Sequence, residues 1–223
     1  SREEQDKFAL TSHRKAVAAK ERGKFNAEII PIKSITPDGK NIRITEDDGP
    51  RADTSLDALS KLQPAFLKGG TVTAGNSSPL TDGAVMMLIA SERFAKKNKI
   101  KPIAKIVSMG VAGVNPAFMG IGPVDAIPKA LAKSKMKLKN IDLIELNEAF
   151  AAQALAVVRE LKLEEKKLNV NGGAIALGHP LGMSGARIVT TLIHAMIDRD
   201  LSTGLASLCV GGGQGVATII ERV

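Results

Sequence analysis

Residues 171–187 read Asn171-Gly172-Gly173-Ala174-Ile175-Ala176-Leu177-Gly178-His179-Pro180-Leu181-Gly182-Met183-Ser184-Gly185-Ala186-Arg187. The stretch sets a histidine between glycines, fixes the next backbone angle with Pro180 and then opens a helix at Ser184. Glycines beside a polar side chain let the backbone approach a neighbour closely or take positive φ. A tight turn around a packed core histidine satisfies the same pattern, so the stretch alone leaves both readings open. Two other segments bear on the choice. Asn147-Glu148-Ala149-Phe150-Ala151 and Cys209-Val210-Gly211-Gly212-Gly213-Gln214-Gly215 each put a polar or reactive residue at the end of an apolar, strand-like run.

Around these segments, strands alternate with helices. The pattern predicts strands over Ile103 to Val111, Ile141 to Leu146, Leu205 to Val210 and Val216 to Ile220. Helices are expected over Val124 to Lys133, Glu148 to Leu161 and Ile188 to Ile197, where apolar residues recur at helical spacing. Such alternation implies an α/β layered domain around a largely buried sheet. Upstream, residues 2–22 predict a helix ended by Gly23, with His13 among charges on a surface face. Short strands at Ile29 to Ile32 and Ile42 to Ile44 flank the turn signal Pro37-Asp38-Gly39-Lys40. Thr45 to Asp53 predicts a loop, and Leu56, Leu59 and Leu62 a brief helix. Thr71 to Ala74 predicts a short strand, and Gly83 to Ala90 an apolar strand buried on both faces. Ser91 is placed to cap a following helix whose lysines form a solvated face.

The bulk numbers exclude several classes. With 223 residues, 44% apolar and 24% charged, the chain is globular and large enough for one sizeable core or two small ones. A net charge of +8 favours an anionic partner. Nucleic acid fits poorly, because there is no Trp or Tyr and only six Phe to stack bases. One cysteine forms no internal disulfide, which suits a reducing compartment, cytoplasmic or an organelle matrix. No apolar run spans a bilayer. The charged opening Ser1-Arg2-Glu3-Glu4-Gln5-Asp6-Lys7, without an initiator Met, is expected to lie within a longer chain.

The chemistry rests on few side chains. A lone cysteine after an apolar strand is ordinarily inert packing. At Cys209, the glycines that follow allow backbone N–H groups to point into a concavity, and the N–H of Gly211 is the expected oxyanion donor. A Gly-rich turn that merely reverses the chain is the alternative. Neutral His179 could activate a thiol and later support an oxyanion with its N–H. Asn147 is either a helix cap or a group holding a water at the reaction centre, and Glu148 is in position for a first-turn carboxylate.

In this order and at this spacing, the three segments resemble the carboxy-terminal signature set of the thiolases, which make or cleave 3-ketoacyl-CoA thioesters. The resemblance implies an α/β thiolase-like layered fold and Claisen chemistry of the kind used in fatty-acid metabolism. It implies that His179 is the base of the Gly-His-Pro motif and Cys209 the acid/base cysteine that exchanges a proton with the substrate α-carbon. It likewise implies that Asn147 positions an oxyanion-hole water and that Ser78 contacts the pantetheine arm. Arg51 and Thr54 fall in a loop that meets the nucleotide end of coenzyme A, Met119 in a loop covering the acyl pocket, and Phe150 either walls that pocket or packs on a helix face. Coenzyme A thioesters are the implied substrates, with no metal and no organic cofactor.

The chain departs from the family in one large respect. Thiolases carry their acyl-accepting cysteine in an amino-terminal half, and nothing here corresponds to it. The expected organisation is a remnant of the loop domain over 1–75, a strand and helix returning to the absent half over 76–101, and the carboxy-terminal domain over 102–223. By itself such a chain should not turn over, and its returning strand should expose apolar surface until a partner covers it. That partner is the amino-terminal half, in cis or as a second chain, within a homodimer or homotetramer. Two rivals remain: a non-catalytic coenzyme A-binding or assembly subunit, and a related ketoacyl synthase.

Overall fold

In the computed structural model, which describes residues 1–223, a four-stranded mixed sheet carries the carboxy-terminal part. Its strands are β3 (Ala104–Gly113), β4 (Leu143–Leu146), β5 (Thr203–Val210) and β6 (Gln214–Arg222), in the order β3-β6-β5-β4. β3 and β5 run antiparallel to β6, whereas β4 runs parallel to β5. A bridge from Ile144 to Leu168 extends the β4 side.

Strand alternation distributes the apolar side chains to two layers. Leu205, Ile219, Ile144 and Leu146 face α4 (Gly122–Ser134) and α5 (Ala151–Leu161), where Ile127, Ala130, Ala154 and Val157 are fully buried. Ala206, Ile220 and Leu143 face α7 (Ser184–Asp198), against Ile188, Leu192 and Met196. Burial on both faces makes this an α/β/α sandwich, as the alternating pattern predicts.

The helix that opens the chain packs against other helices. α1 (Arg2–Glu21) starts at a capping box in which Ser1 accepts from the Glu4 N–H and the Glu4 side chain reaches back to Ser1. Ala9 and Leu10 of α1 join Leu59 of α2 (Leu56–Ser60), Ala151 of α5 and Ile175 of α6 (Ala174–Leu177) in one apolar cluster. Between α1 and α2, β1 (Ile32–Ile35) and β2 (Asn41–Ile44) form an antiparallel hairpin around the predicted turn.

Four local expectations are corrected. Thr71 to Ala74 is not a strand: Thr73 makes one bridge to Pro64 and then caps a short 3-10 turn at Ala74–Asn76. Its Asn76 is buried, donates to Asp6 (2.9 Å) and takes the Thr73 N–H (2.8 Å), so polar pairing with α1 replaces sheet pairing. Gly83 to Ala90 has no strand partner, pairing with neither edge strand of the sheet, β3 or β4, and Met86, Leu88 and Ile89 are exposed. The capped helix that follows is α3 (Glu92–Lys97), with Ser91 accepting from Phe94 N–H as predicted. The helix expected from Glu148 begins at Ala151, because residues 147–150 continue extended from β4. His13, finally, is buried rather than on a surface face, with Nδ1 accepting the Arg51 N–H (3.1 Å).

The β5–β6 turn is seated by a backbone contact. A Cβ built on Gly215 would lie 2.1 Å from the Gly122 carbonyl oxygen at the start of α4. Gly215→Ala is therefore expected to cost about 1–3 kcal/mol through overpacking, read as a lowered urea midpoint at unchanged slope. A midpoint equal to wild type would show that α4 and the turn shift apart freely.

Candidate active site

The site is built where β4 and β5 end. Asn147 directly follows β4, and its N–H donates to the Ser207 carbonyl (2.9 Å), so it lies beside the last turn of register on β5. Two residues past Ser207, Cys209 is the second-last residue of β5, opposite Gly215, and is 7% exposed. Burial pushes the Cys209 thiol up from its ordinary range. Gly211 and Gly212 in the turn that follows are exposed, and no atom lies within 4 Å of a Cβ built on either.

His179 approaches from the loop after α6. Gly178 takes φ +91°, and a Cβ there would lie 2.5 Å from the Thr81 side chain, so only glycine lets the loop turn under residue 81. The imidazole then makes two contacts. Nε2 is 3.2 Å from Asn147 Nδ2, and Nδ1 is 2.5 Å from Ser184 Oγ. Asn147 is fully buried, and its Oδ1 has no protein partner. Burial, followed by the nearby positive charge of Arg187, pushes the His179 pKa down and favours the neutral ring.

Beneath this contact lies a buried polar network. Glu148 accepts from Ser12 Oγ (2.6 Å), Asn169 Nδ2 (2.7 Å) and the Ile175 N–H (3.2 Å). Ser12 also takes the Gly173 N–H (3.0 Å), so α1 clasps the start of the histidine loop. Glu148 is thus a clamp between β4, α1 and α6 rather than a first-turn helix carboxylate. Nor is Asn147 a helix cap, since Phe150 occupies the N-cap position of α5.

The remaining predicted residues make contacts of their own. Ser78 is drawn to the same segment, both its N–H (3.0 Å) and its hydroxyl (3.1 Å) donating to the Ala149 carbonyl. Phe150 is half-buried and meets Phe66 edge-on, with ring centroids 5.9 Å apart. Met119 is half-buried in the loop preceding α4, next to Gly120, which packs on Gln153. Arg51 is exposed and Thr54 half-buried, and no hydrogen bond joins either to His179 or Asn147.

Family models decide the affiliation. One described as "Thiolase, C-terminal domain" matches residues 100–222, and one described as "Thiolase, N-terminal domain" matches residues 1–93. The chain belongs to the thiolase family. A "Probable acetyl-CoA acyltransferase" of Staphylococcus aureus (strain MRSA252) is 55% identical over 222 residues, covering 100% of this chain and 56% of the relative. The thiolase fold is equally plain in solved structures. Bacillus anthracis acetyl-CoA acetyltransferase matches with a TM-score of 0.97 at 50% identity, and human mitochondrial 3-ketoacyl-CoA thiolase with 0.97 at 51%. Each match covers 100% of this chain and 56% of the other. The human thiolase in complex with CoA matches at 0.95. The chain thus spans about half the length of the thiolases it matches. No helix is long and apolar enough to cross a membrane.

Sequence reasoning passed over Ser184 and Phe66, which meet His179 and Phe150. Ser184 reads there only as the start of a helix, although it stands five residues after His179 across a Pro-anchored turn. Phe66 lies 84 residues before Phe150, and no local pattern couples them. The burial of His13 was more accessible, since Gln5, Ala9, Ser12, His13 and Ala16 share one helical face.

Proposed function

We propose that this chain supplies His179, Cys209 and Asn147 to an acyl-CoA:acetyl-CoA acyltransferase, with coenzyme A thioesters as substrates and no metal or organic cofactor. The observation that carries the reading is the contact of His179 Nε2 with Asn147 at the carboxyl end of β4, beside the strand whose second-last residue is Cys209. His179, neutral and half-buried, takes the proton of an attacking thiol. The protonated ring then faces the thioester oxygen as charge develops, and a water donating to Asn147 Oδ1 offers its second proton to that oxygen. Cys209 moves the proton at the α-carbon, while the Gly211 N–H serves the second oxyanion. Ser78 lies along the pantetheine arm, Met119 and Phe150 line the acyl pocket, and Arg51 and Thr54 lie toward the nucleotide. The human thiolase solved with CoA supports coenzyme A binding here.

The acyl-accepting thiol comes from the amino-terminal half, in cis or as a second chain, within a two-fold symmetric dimer or tetramer. The exposed Met86, Leu88 and Ile89 of the segment 83–90 fit a surface that this half covers. Combining this chain with the nucleophile-bearing half is expected to produce CoA-dependent cleavage of acetoacetyl-CoA that neither part shows alone. Full activity from residues 1–223 by themselves would overturn the division of roles. CoA binding without thiolysis, even in the combined protein, would favour a non-catalytic binding subunit instead.

A further inference from the structure

We propose that Ser184 is a positioning residue that fixes the tautomer of His179, leaving Nε2 as the one basic nitrogen aimed at Asn147. Ser184 is 1% exposed and is the first residue of α7. Its hydroxyl has a single proton and two nearby polar atoms, the Pro180 carbonyl at 2.9 Å and His179 Nδ1 at 2.5 Å. Donating to Pro180 leaves the oxygen free to accept, so Nδ1 carries the ring proton and donates to Ser184.

The Asn147 side gives the same answer independently. Its Nδ2 faces Nε2 at 3.2 Å and has no other partner, while Oδ1 has none. Reversing the amide would point Oδ1 at the ring and leave both Nδ2 protons buried and unpaired, the costlier arrangement. An Nδ2 donor requires a lone pair on Nε2, and the opposite edge of the ring must then hold the proton. Two contacts from two elements, α7 and the β4 terminus, therefore select one tautomer. Arg187, one turn further along α7, adds positive charge that disfavours a second ring proton.

This inference rests on the proposed acyl-transfer role only for its consequence. Once the Asn147 N–H releases the Nε2 lone pair to the incoming thiol, Nε2 can take the thiol proton and afterwards donate it to the oxyanion without the ring turning over. In the other tautomer the nitrogen facing the site already bears a proton and cannot act as a base, the kind of mispairing that is strongly damaging in histidine-dependent catalysis.

The test is ring-nitrogen NMR of residues 1–223 labelled with ¹⁵N-histidine. Only three histidines are present, so His13→Gln and His194→Gln assign the His179 signals. Wild type is expected to show a protonated Nδ1 and a bare Nε2. Ser184→Ala should shift the ring toward a mixture, and Ser184→Thr should restore the wild-type pattern by returning the hydroxyl. In the combined enzyme Ser184→Ala should lower kcat by about tenfold or more with KM little changed. A bare Nδ1 in wild type, or identical tautomers in wild type and Ser184→Ala, would overturn the proposal. The spectra are read without turnover, so a tautomer that shifts in an enzyme lacking thiolysis would sink the functional reading and leave this one standing.

Discussion

Cys209→Ala in the combined enzyme is expected to abolish exchange of the acetyl-CoA methyl protons with deuterated water and to lower condensation by about 10²–10⁴-fold. The thiol lies one residue before the end of β5 at 7% exposure, and burial raises its pKa, so it is held protonated at neutral pH. A protonated sulfur supplies the proton that the α-carbon must regain on cleavage, and the thiolate it leaves takes one in condensation. No second cysteine exists in the chain to replace it. Acylation of the nucleophile, which does not touch the α-carbon, should survive in Cys209→Ala and disappear in His179→Ala. Exchange at the wild-type rate in Cys209→Ala would move the acid/base role to another group, and His179 would be the first to examine.

The second large effect concerns stability against pH. Glu145 faces α7 from the middle of β4 and is 2% exposed, and burial pushes its pKa up to about 8 against the opposing pull of Arg187, whose Nη1 is 3.8 Å away. Glu28, bonded to Thr191 (2.9 Å), is likewise pushed up by burial, to about 7. A carboxyl with a raised folded-state pKa binds its proton more tightly in the native than in the unfolded chain. Stability is therefore highest below the unfolded value near 4.5 and declines as pH rises through 7 and 8. At about 1.4 kcal/mol per pH unit of displacement, Glu145 alone accounts for a loss on the order of a few kcal/mol by pH 9.

Glu145→Gln keeps the shape and removes the titration. It is expected to match wild type near pH 5 and to be clearly more stable at pH 9, measured by urea unfolding across that range. Residual pH dependence should remain from Glu28. If Glu145→Gln is instead destabilised equally at every pH, then Glu145 is ionised and paired with Arg187. Breaking a buried ion pair would then be the right description.

Much of this protein is written locally. Ser1 with Glu4, Pro37-Asp38-Gly39-Lys40 and Ser91 mark a helix start, a hairpin turn and a second helix cap, because caps and turns depend on residues within four positions of one another. Periodicity of 2.0 or 3.6 likewise marked β3, β5, β6, α4 and α7, since an element must present one apolar face to the core wherever that core lies. Asn147 and Cys209 stand at or near the end of strands that the pattern marks, whereas His179 follows the four-residue α6, which no periodicity marks.

What tertiary structure alone decided are the relations across the chain. Glu148 meets Ser12 across 136 residues, Phe150 meets Phe66, and His179 is held between Ser184 and Asn147. Gly83 to Ala90 has strand composition but no strand, because a ladder needs an edge that no local sequence supplies. Burial decides the charges too. Glu145 in its run of leucine and isoleucine shows only that a carboxyl is present, and whether it keeps its proton at pH 7 depends on which layers close over it.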